Sequence, residues 1–203
     1  MVNALMGVLI RPAEPSDAAA VVAMAAELSA SQAKPPRSFS EADFRRDGFG
    51  SRRAFSCLIA EVDGAPAGYA LFHDSYDAEG GARGAFIHDL YLRPAFRRRG
   101  LGRALLAEVC QATRTAGGGF VWWCMVDGNQ AAEGFYRGLS AALDDLRIWI
   151  ADGENFARLA GDQPADPEGR VKGVFASRGI GWFRAGRKRP RRPGSPPRGR
   201  GTV

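Results

Sequence analysis

The sequence predicts a single α/β domain in which helices flank a mixed central sheet. Three observations support this. Apolar residues alternate with period two in some segments and recur at helical spacing in others. Glycine, proline and Asp-Gly steps separate these segments. In chain order they read as a strand, two helices, a run of antiparallel strands, and then strand–helix–strand–helix–strand, which is an α/β arrangement.

The first segments predict a strand, two helices and a hairpin. Residues 7–10 read as the opening strand, and Ser16-Asp17 supplies capping residues for a helix over 18–28. The polar stretch 29–38, with its Pro-Pro step, is a predicted loop. A capping box at 40–43 predicts a second, short helix, which ends near 48–50.

The next segments predict the centre of the sheet. Strands at 55–62 and 68–73 flank an Asp-Gly step and form a predicted hairpin. A glycine-rich turn at 77–83 leads into a strand at 85–92. Arg93-Pro94 ends that strand, because proline cannot donate to a ladder.

A helix follows this strand and begins after a basic turn. From Leu101 onward, apolar residues recur at helical spacing until the three glycines at 117–119. The first backbone N–H groups of a helix have no intrahelical partner. The segment 97–102, Arg-Arg-Arg-Gly-Leu-Gly, therefore suits a phosphate-bearing ligand.

The last segments predict two more strands and two short helices. Residues 120–126 read as a buried strand, and Asp-Gly-Asn at 127–129 reads as a turn. A short helix over 131–138, a last strand at 147–151 and a closing helix at 154–160 complete the predicted domain.

Composition separates a folded part from a tail. The net charge is +6, but residues 162–203 hold eleven basic and three acidic residues, whereas 1–161 hold seventeen basic and nineteen acidic residues. From residue 163 onward, glycine and proline make up about a third of the chain. Such a composition buries too little apolar surface to offset the entropy of ordering. We therefore expect a folded domain over 7–161 and a disordered basic tail over 162–203.

Composition also excludes several classes of protein. No apolar run reaches the roughly 18–20 residues that cross a bilayer, and the N-terminal residues lack the features of a secretory signal. The cysteines Cys57, Cys110 and Cys124 follow no disulfide or metal-binding spacing. With two histidines in the chain, a metal site is not expected. We expect a cytoplasmic protein with reduced thiols and no membrane contact.

The glycine-rich turn can be compared with known phosphate-binding loops. It lacks the Gly-Lys-Ser/Thr of a P-loop, and Leu105 stands where the dinucleotide fingerprint has its third glycine. What remains is Arg-x-x-Gly-x-Gly between a strand and an amphipathic helix. This pattern resembles the acetyl-CoA loop of the GNAT (Gcn5-related) N-acetyltransferases.

Three further segments resemble the same family in the right order. They are Ile-Arg-Pro-Ala at 10–13, Asn-x-x-Ala-x-x-Phe-Tyr at 129–136, and Arg-Ile-Trp-Ile at 147–150. Within the family, Asp-Gly-Phe-Gly at 47–50 and Ser-Tyr-Asp at 75–77 resemble the spermidine/spermine (diamine) acetyltransferase branch. The resemblance covers nearly all of the expected domain and implies the GNAT fold.

The resemblance implies an N-acetyltransferase that moves acetyl from acetyl-CoA to a primary amine of a small molecule, diamine-, polyamine- or amino-acid-like, by direct attack. This chain has His88-Asp89 where the diamine branch has Glu-Asp, and Gln32 where that branch has an acid. Two fewer carboxylates attract a polycation less strongly. The fold assignment is unaffected, but a polyamine acceptor is not supported.

The resemblance also implies which residues hold acetyl-CoA. Strand residues 90–92 would receive its pantetheine arm through their backbone, and the turn and first helical residues would hold its diphosphate. Asn129 and Ala132 would lie near its thiol end. The implied cofactor-binding residues are Leu90, Tyr91, Leu92, Arg97, Arg98, Arg99, Gly100, Leu101, Gly102, Arg103, Asn129 and Ala132.

Acetyl transfer needs a neutral amine and a proton for the leaving thiolate. An amine of pKa ~10.4 is neutral in about one molecule in 2,500 at pH 7, so His88 is the candidate general base. Tyr136 matches the tyrosine that the family has beside the sulfur, so the resemblance implies that it is the general acid; a phenol can protonate a thiolate for about 2 kcal/mol. The alternatives are a structural strand histidine and a packed aromatic ring.

Three more residues concern the acceptor and the chemical route. Of the strand tryptophans, Trp122 is the one predicted to line the amine pocket. Asp89 is a candidate substrate contact, with an orienting role as its alternative. Cys124 could suggest a ping-pong route, but a buried strand cysteine is usually inert, so direct attack is preferred.

Two other functions remain open at this point. The acceptor can be a protein lysine or α-amino group, or the basic stretch 187–200 can bind nucleic acid through its phosphates. That stretch has no interleaved aromatics, so nucleic-acid contact would be accessory. Domains of this family often pair as homodimers, although no residue pattern here marks an interface.

Overall fold

Five strands form one sheet in the computed structural model, which describes residues 7–144 and 148–161. The strands are β1 (Val8–Pro12), β2 (Ser56–Val62), β3 (Ala65–Asp77), β4 (Ala82–Leu92) and β5 (Phe120–Trp123). The helices are α1 (Ala18–Ser31), α2 (Glu41–Phe49), α3 (Leu101–Thr115), α4 (Gln130–Arg137) and α5 (Gly153–Gly161). Short 3₁₀ turns lie at Pro15–Asp17 and Pro94–Phe96.

The sheet is mixed, as predicted. Its order is β1-β2-β3-β4-β5; the first four strands are antiparallel, and β5 is parallel to β4. A parallel pair needs a crossover connection, which α3 supplies. The α/β arrangement with a mixed sheet is thus confirmed.

Helices cover both faces of the sheet. On one face, α1 and α2 pack against β2, β3 and β4, and the fully buried side chains there are Val21, Met24, Phe44, Ile59 and Tyr69. On the other face, α3 packs against the same strands through Leu105 and Val109, both fully buried. Burying a side chain of this size contributes roughly 1.5–3 kcal/mol.

The two predicted helix starts form in different ways. At α2, Ser40 Oγ accepts from the Asp43 N–H at 3.2 Å, and Asp43 Oδ2 accepts from the Ser40 N–H at 3.0 Å, which confirms the capping box. Before α1, the buried Asp17 makes no cap bond to its own helix. Its carboxylate instead pairs with Arg11 (2.7 and 2.9 Å) and tethers β1 to the helix start.

The hairpin between β3 and β4 is longer than predicted. Both strands extend past the expected ends, to Asp77 and from Ala82, so the turn spans 78–81 rather than 77–83. Asp77 Oδ1 accepts from the backbone N–H groups of Glu79 and Gly80, each at 3.1 Å. These bonds close the turn within four residues, so Asp77 and Ala82 on either side of it pair as the last residues of the two strands.

Two strand predictions were wrong. The predicted buried strand at 120–126 ends at Trp123 and is half-buried, because β5 is an edge strand of the described sheet. Of the predicted strand at 147–151, residue 147 lies outside the described residues, and 148–151 form no strand. Ile148, Trp149 and Ile150 are 60%, 91% and 77% exposed, so no neighbouring strand pairs with them.

The observed helix bounds lie within one or two residues of the predicted ones, except that α1 continues to Ser31 instead of ending at residue 28. The predicted helix at 131–138 is α4, and the predicted closing helix at 154–160 is α5. The predicted tail, 162–203, lies outside the described residues. In the part that is described, no helix is both long and apolar enough to cross a membrane.

Candidate active site

The candidate site lies where β4 and β5 separate. Their parallel pairing runs from Gly84 opposite Phe120 to Ile87 opposite Trp123 and then stops. At the same point β4 bulges against β3: Leu71 lies opposite Asp89 and Phe72 opposite Ile87, so His88 has no partner. Beyond the bulge, the edge of β4 over 89–92 that faces away from β3 has no strand beside it among the described residues. Backbone polar groups on that edge can bond to a bound chain molecule.

The N-terminus of α3 faces this region. Gly100 precedes the helix at φ 83°, and no side chain caps the helix. By contrast, Ser40 caps α2 and Asn129 caps α4. The first-turn N–H groups of Leu101, Gly102 and Arg103 have no intrahelical acceptors, and the helix dipole favours a negative charge in front of them. A corner of this kind suits a phosphate-bearing ligand, and contact with the diphosphate of acetyl-CoA stays a prediction.

Two arginines of this corner hold the structure together. Arg97 Nε donates to the Leu92 carbonyl at 2.8 Å, and its guanidinium lies 5.6 Å from the centre of the Tyr91 ring. Arg103 Nη2 donates to the Gly138 carbonyl at 3.0 Å, which ties α3 to the end of α4. Both arginines were predicted to bind the ligand. In the structure each of them donates a hydrogen bond to a backbone carbonyl of the protein. Their contact with a ligand stays a prediction.

Gly102 allows three elements to meet closely. A Cβ atom placed on it would lie 3.3 Å from Phe135 Cζ and 3.5 Å from Leu92 Cδ1. A side chain at this position would therefore press on Phe135 and Leu92, and the packing of α3 against α4 and β4 would have to adjust. The second glycine of the motif thus has a packing reason beside its predicted contact with acetyl-CoA.

Tyr136 lies on α4 against the end of β5. Its half-buried ring is 4.9 Å from the Trp123 ring and 5.3 Å from the Phe135 ring, between centres. Its hydroxyl bonds to none of the described residues, and burial raises the pKa of the phenol. Tyr136 is therefore protonated at neutral pH and can donate a proton or a hydrogen bond. Asn129 Oδ1 caps the same helix by accepting from the Ala132 N–H at 3.2 Å.

His88 belongs to an aromatic group on the other face of the sheet. Its ring stacks on His73 with centres 4.7 Å apart and lies nearly perpendicular to the Phe86 ring, with centres 4.8 Å apart. Trp122 also belongs to this group, because its ring packs on Phe86 with centres 4.5 Å apart. Its indole N–H donates to Ser75 Oγ at 3.1 Å. His88 remains partly exposed, yet packing against these rings lowers its pKa through partial burial. It is therefore mostly neutral at pH 7 and able to accept a proton.

Alternation along β5 relates these two groups. Trp122 joins the His88 group, whereas Trp123 contacts Tyr136 and packs in the core on the α3 side. Successive strand residues point to opposite faces of a sheet. Where β4 and β5 separate, the proton acceptor His88 therefore lies on one face of the sheet and the proton donor Tyr136 on the other.

Asp89 is buried and fully bonded. Arg37 donates to both of its oxygens, at 2.6 and 2.9 Å, and the Tyr69 hydroxyl donates to Oδ2 at 2.8 Å. These contacts favour the orienting alternative over direct substrate contact. Sequence reasoning missed both partners. The period-two pattern of β3 could have placed Tyr69 and His73 on one face, but nothing local to Arg37 indicates its distant partner.

The prediction that Cys124 is a buried residue of a strand was wrong. Because β5 ends at Trp123, Cys124 lies beyond the strand and is exposed. Partial burial still raises the pKa of its thiol, which is protonated at neutral pH. A protonated thiol is a poor nucleophile, so direct attack remains the preferred route. No group of three or more metal-ligating side chains comes together within the described ranges.

The site and fold define a class of enzyme. A family model described as the acetyltransferase (GNAT) family matches residues 23–140, more than half of the chain. The chain therefore belongs to the GNAT family, and it is an acetyltransferase that uses acetyl-CoA. The GNAT fold and the predicted enzyme class are confirmed.

Individual relatives support the same class. Thialysine N-epsilon-acetyltransferase from Bos taurus is 29% identical over 167 residues, covering 76% of this chain and 98% of the relative. Spermidine/spermine N(1)-acetyltransferase-like protein 1 from Homo sapiens is 29% identical over 140 residues, 65% of this chain and 20% of that protein. The solved structure of aminoglycoside N-acetyltransferase AAC(6')-Iy in complex with CoA shares the fold, with a TM-score of 0.61 and 18% identity over 75% of this chain and 99% of that one.

Proposed function

We propose that this protein transfers the acetyl group of acetyl-CoA to the primary amine of a small molecule by direct attack. The observation that carries the proposal is the arrangement at the end of the β4–β5 pairing. His88 and Tyr136 flank it on opposite faces, and the uncapped N-terminus of α3 lies beside it. The similarity to thialysine and spermidine/spermine acetyltransferases supports a small amine as the acceptor.

The donor would bind at two places. The amides of Leu101, Gly102 and Arg103 would hold the diphosphate of acetyl-CoA, and the open edge of β4 over 90–92 would bond to its pantetheine arm. The exposed Arg98 and Arg99 would add positive charge at the diphosphate, while Asn129 and Ala132 would lie near the thiol end. Backbone donors at 90–92 would also polarise the acetyl carbonyl.

The chemistry needs two proton transfers. The acceptor nitrogen attacks the thioester carbonyl carbon, a C–N bond forms, and the C–S bond breaks. His88 takes the proton that the nitrogen loses, directly or through water, and Tyr136 gives a proton to the departing thiolate. Positioned acids and bases of this kind contribute about 10²–10⁴-fold each.

The surroundings of His88 indicate the kind of amine. Its sequence neighbour Asp89 is neutralised by Arg37 and is 8% exposed, so it offers little attraction to a second ammonium group. Aromatic rings of Phe86 and Trp122 line the same face and suit the alkyl part of an acceptor. We infer an acceptor with a single reacting amine, such as an amino-acid-like ω-amine, in preference to a polyamine.

The proposal extends to the rest of the chain. The enzyme activity would belong to residues 7–161 and would survive deletion of 163–203.

We propose a homodimer, because Trp149 and Ile150 are 91% and 77% exposed and a second copy would cover them. We also propose a cytoplasmic location. The matched family and the relatives named above do not favour a protein that acts by binding nucleic acid.

A binding assay followed by an amine panel tests the proposal. We expect acetyl-CoA to raise the melting temperature, and thialysine, lysine or ornithine to be acetylated faster than spermidine at equal concentration. A lysine-containing peptide tests the protein-acceptor alternative. Failure of acetyl-CoA to bind would remove the proposed function, and faster acetylation of the peptide or of spermidine would overturn the acceptor assignment.

A further inference from the structure

The stacked histidines form a feature that the reaction as described uses only in part. His73 lies on β3 and His88 on β4, and their rings are nearly parallel, with an interplanar angle of 27° and centres 4.7 Å apart. The contact depends on the bulge. Because His88 is the extra residue between Ile87 and Asp89, it can turn toward His73 on the neighbouring strand.

The surroundings of the pair are apolar. The Phe86 ring lies at a steep angle to both imidazoles, with its centre 5.5 Å from that of His73 and 4.8 Å from that of His88. No side chain or backbone group of the described residues hydrogen-bonds to either ring. His73 Nδ1 is buried without a partner, so a proton on that nitrogen would leave a buried donor unsatisfied. The positively charged form of His73 is therefore disfavoured.

Few charged groups act on the pair. Arg37 and Asp89 lie near His88 and pair with each other, so their opposite effects largely cancel. The negative charge of Asp74, the next residue on β3, raises the pKa of His73 and so opposes the effect of burial. Trp122, which faces the group from β5, carries no charge. A positive charge on either ring is thus opposed chiefly by burial and by a charge on the other ring.

We propose that His73 is a positioning residue for His88, and that the two stacked imidazoles form one unit that accepts a single proton at the open end of β4. His73 holds the His88 ring flat and remains neutral while His88 takes the proton lost by the acceptor amine. The proton then passes from His88 to solvent. This inference rests on the proposed function for its role in acetyl transfer, but the coupling of the two rings does not.

A titration followed by nuclear magnetic resonance tests the coupling directly. The chain has two histidines, so a ¹H–¹³C spectrum shows two Cε1–Hε1 signals, and each single variant leaves one. In His88→Gln we expect His73 to protonate at a higher pH than in the unaltered chain, because no charge on residue 88 then opposes it. In His73→Gln we expect the same of His88, because loss of the stacked ring relieves the burial that lowers its pKa. Either remaining histidine keeping its original midpoint would overturn the pair.

Kinetics test the role in catalysis. We expect the acid limb of the kcat/KM profile for the amine to move to higher pH in His73→Gln, together with the His88 signal. The Kd for acetyl-CoA should not change, because His73 is on β3, away from the α3 N-terminus. Coupled signals with an unmoved acid limb would overturn the role of His73 in proton transfer. Absence of turnover in the unaltered chain would count against the proposed function, and the titration would still decide on the pair.

Discussion

Arg37 and Asp89 form a bidentate ion pair that fastens the loop between α1 and α2 to β4, with Nη1–Oδ2 and Nη2–Oδ1 distances of 2.6 and 2.9 Å. Arg37 Nε also donates to Ser29 Oγ at 2.7 Å, and Ser29 is buried at the end of α1. The guanidinium therefore connects a helix end, a loop and the strand that carries His88. Its partner Asp89 is 8% exposed, so the carboxylate depends on these bonds.

The first prediction concerns this pair. Replacement of Arg37 by glutamine leaves a buried carboxylate without its counter-charge, and breaking such a pair costs about 3–5 kcal/mol when both partners are buried. Because the Arg37 side chain is 31% exposed, we expect a loss nearer to about 2 kcal/mol in the free energy of unfolding. Urea unfolding at pH 7.5 measures it.

A matched control for Arg37 lies on α4. Arg137 pairs with Glu133 at 2.6 Å, but both side chains are exposed, at 64% and 40%. We expect Arg137→Gln to change the free energy of unfolding by no more than about 0.5 kcal/mol. Equal losses in the two variants would show that burial of Asp89 does not set the strength of the Arg37 contact.

The second prediction concerns the corner that would hold the diphosphate. Gly100 has φ 83° with no atom within 4 Å of a built Cβ, and Gly117, just past the other end of α3, has φ 82° and equally open space. Replacing either by glutamate incurs a similar backbone cost. Only at Gly100 does the new carboxylate stand where the diphosphate would bind. We expect Gly100→Glu to abolish acetyl-CoA binding and Gly117→Glu to retain it.

Calorimetric titration with acetyl-CoA, on variants first checked for folding by circular dichroism, measures this difference. Comparable loss of affinity in both glycine variants would indicate a general weakening of α3. Unchanged affinity in Gly100→Glu would mean that the donor does not bind at this corner.

The strand–turn–helix that forms this corner could be predicted because its signals are local. The alternation at 85–92, the proline after it and the apolar spacing from Leu101 each depend on neighbours in the chain, and β4 and α3 confirmed them. The expected strand at 147–151 failed for the opposite reason. A short apolar segment becomes a strand only when another strand offers backbone partners, and the residues of the segment itself do not show whether such a partner lies beside it.

The candidate site was predictable in its residue types but not in its construction. Tyr136 and His88 could be proposed as candidates from their places in the sequence, and their roles stay predictions. The bulge that turns His88 toward His73 depends instead on the register between β3 and β4. Arg37 and Asp89 are 52 residues apart in the chain. Their pairing follows from how α1 and α2 pack on the sheet, which no pattern within either segment encodes.

The third prediction concerns the proton donor. Tyr136→Phe keeps the ring that packs on Trp123 and removes the hydroxyl, so binding of acetyl-CoA should change little. We expect kcat to fall by about 10²-fold, the lower part of the usual range for a general acid. Tyr76→Phe is the control, because Tyr76 is 55% exposed near the end of β3. Steady-state kinetics with acetyl-CoA and the best amine of the panel measures both; a kcat for Tyr136→Phe equal to that of the control would exclude the role.

The fourth prediction concerns stability against pH. Burial lowers the pKa of His73 and of His88 in the folded chain, whereas both titrate near the ordinary value of about 6.5 when unfolded. Below pH ~6.5 the unfolded chain thus binds more protons than the folded chain. Folding stability is fully present above that pH and falls as the pH decreases through the folded-state pKa values.

Urea unfolding at pH 7.5, 6.5 and 5.5 should therefore show a decreasing free energy of unfolding. Each proton contributes at most about 1.4 kcal/mol per pH unit, and the partial exposure of His88 reduces its share. The carboxylate of Asp17, whose pKa is lowered mainly by its bonds to Arg11, contributes a loss only at more acidic pH. The double variant His73→Phe, His88→Gln removes both groups and should be much less sensitive over this range. The same dependence in the double variant would assign the effect to other groups and contradict the burial of the two imidazoles as its cause.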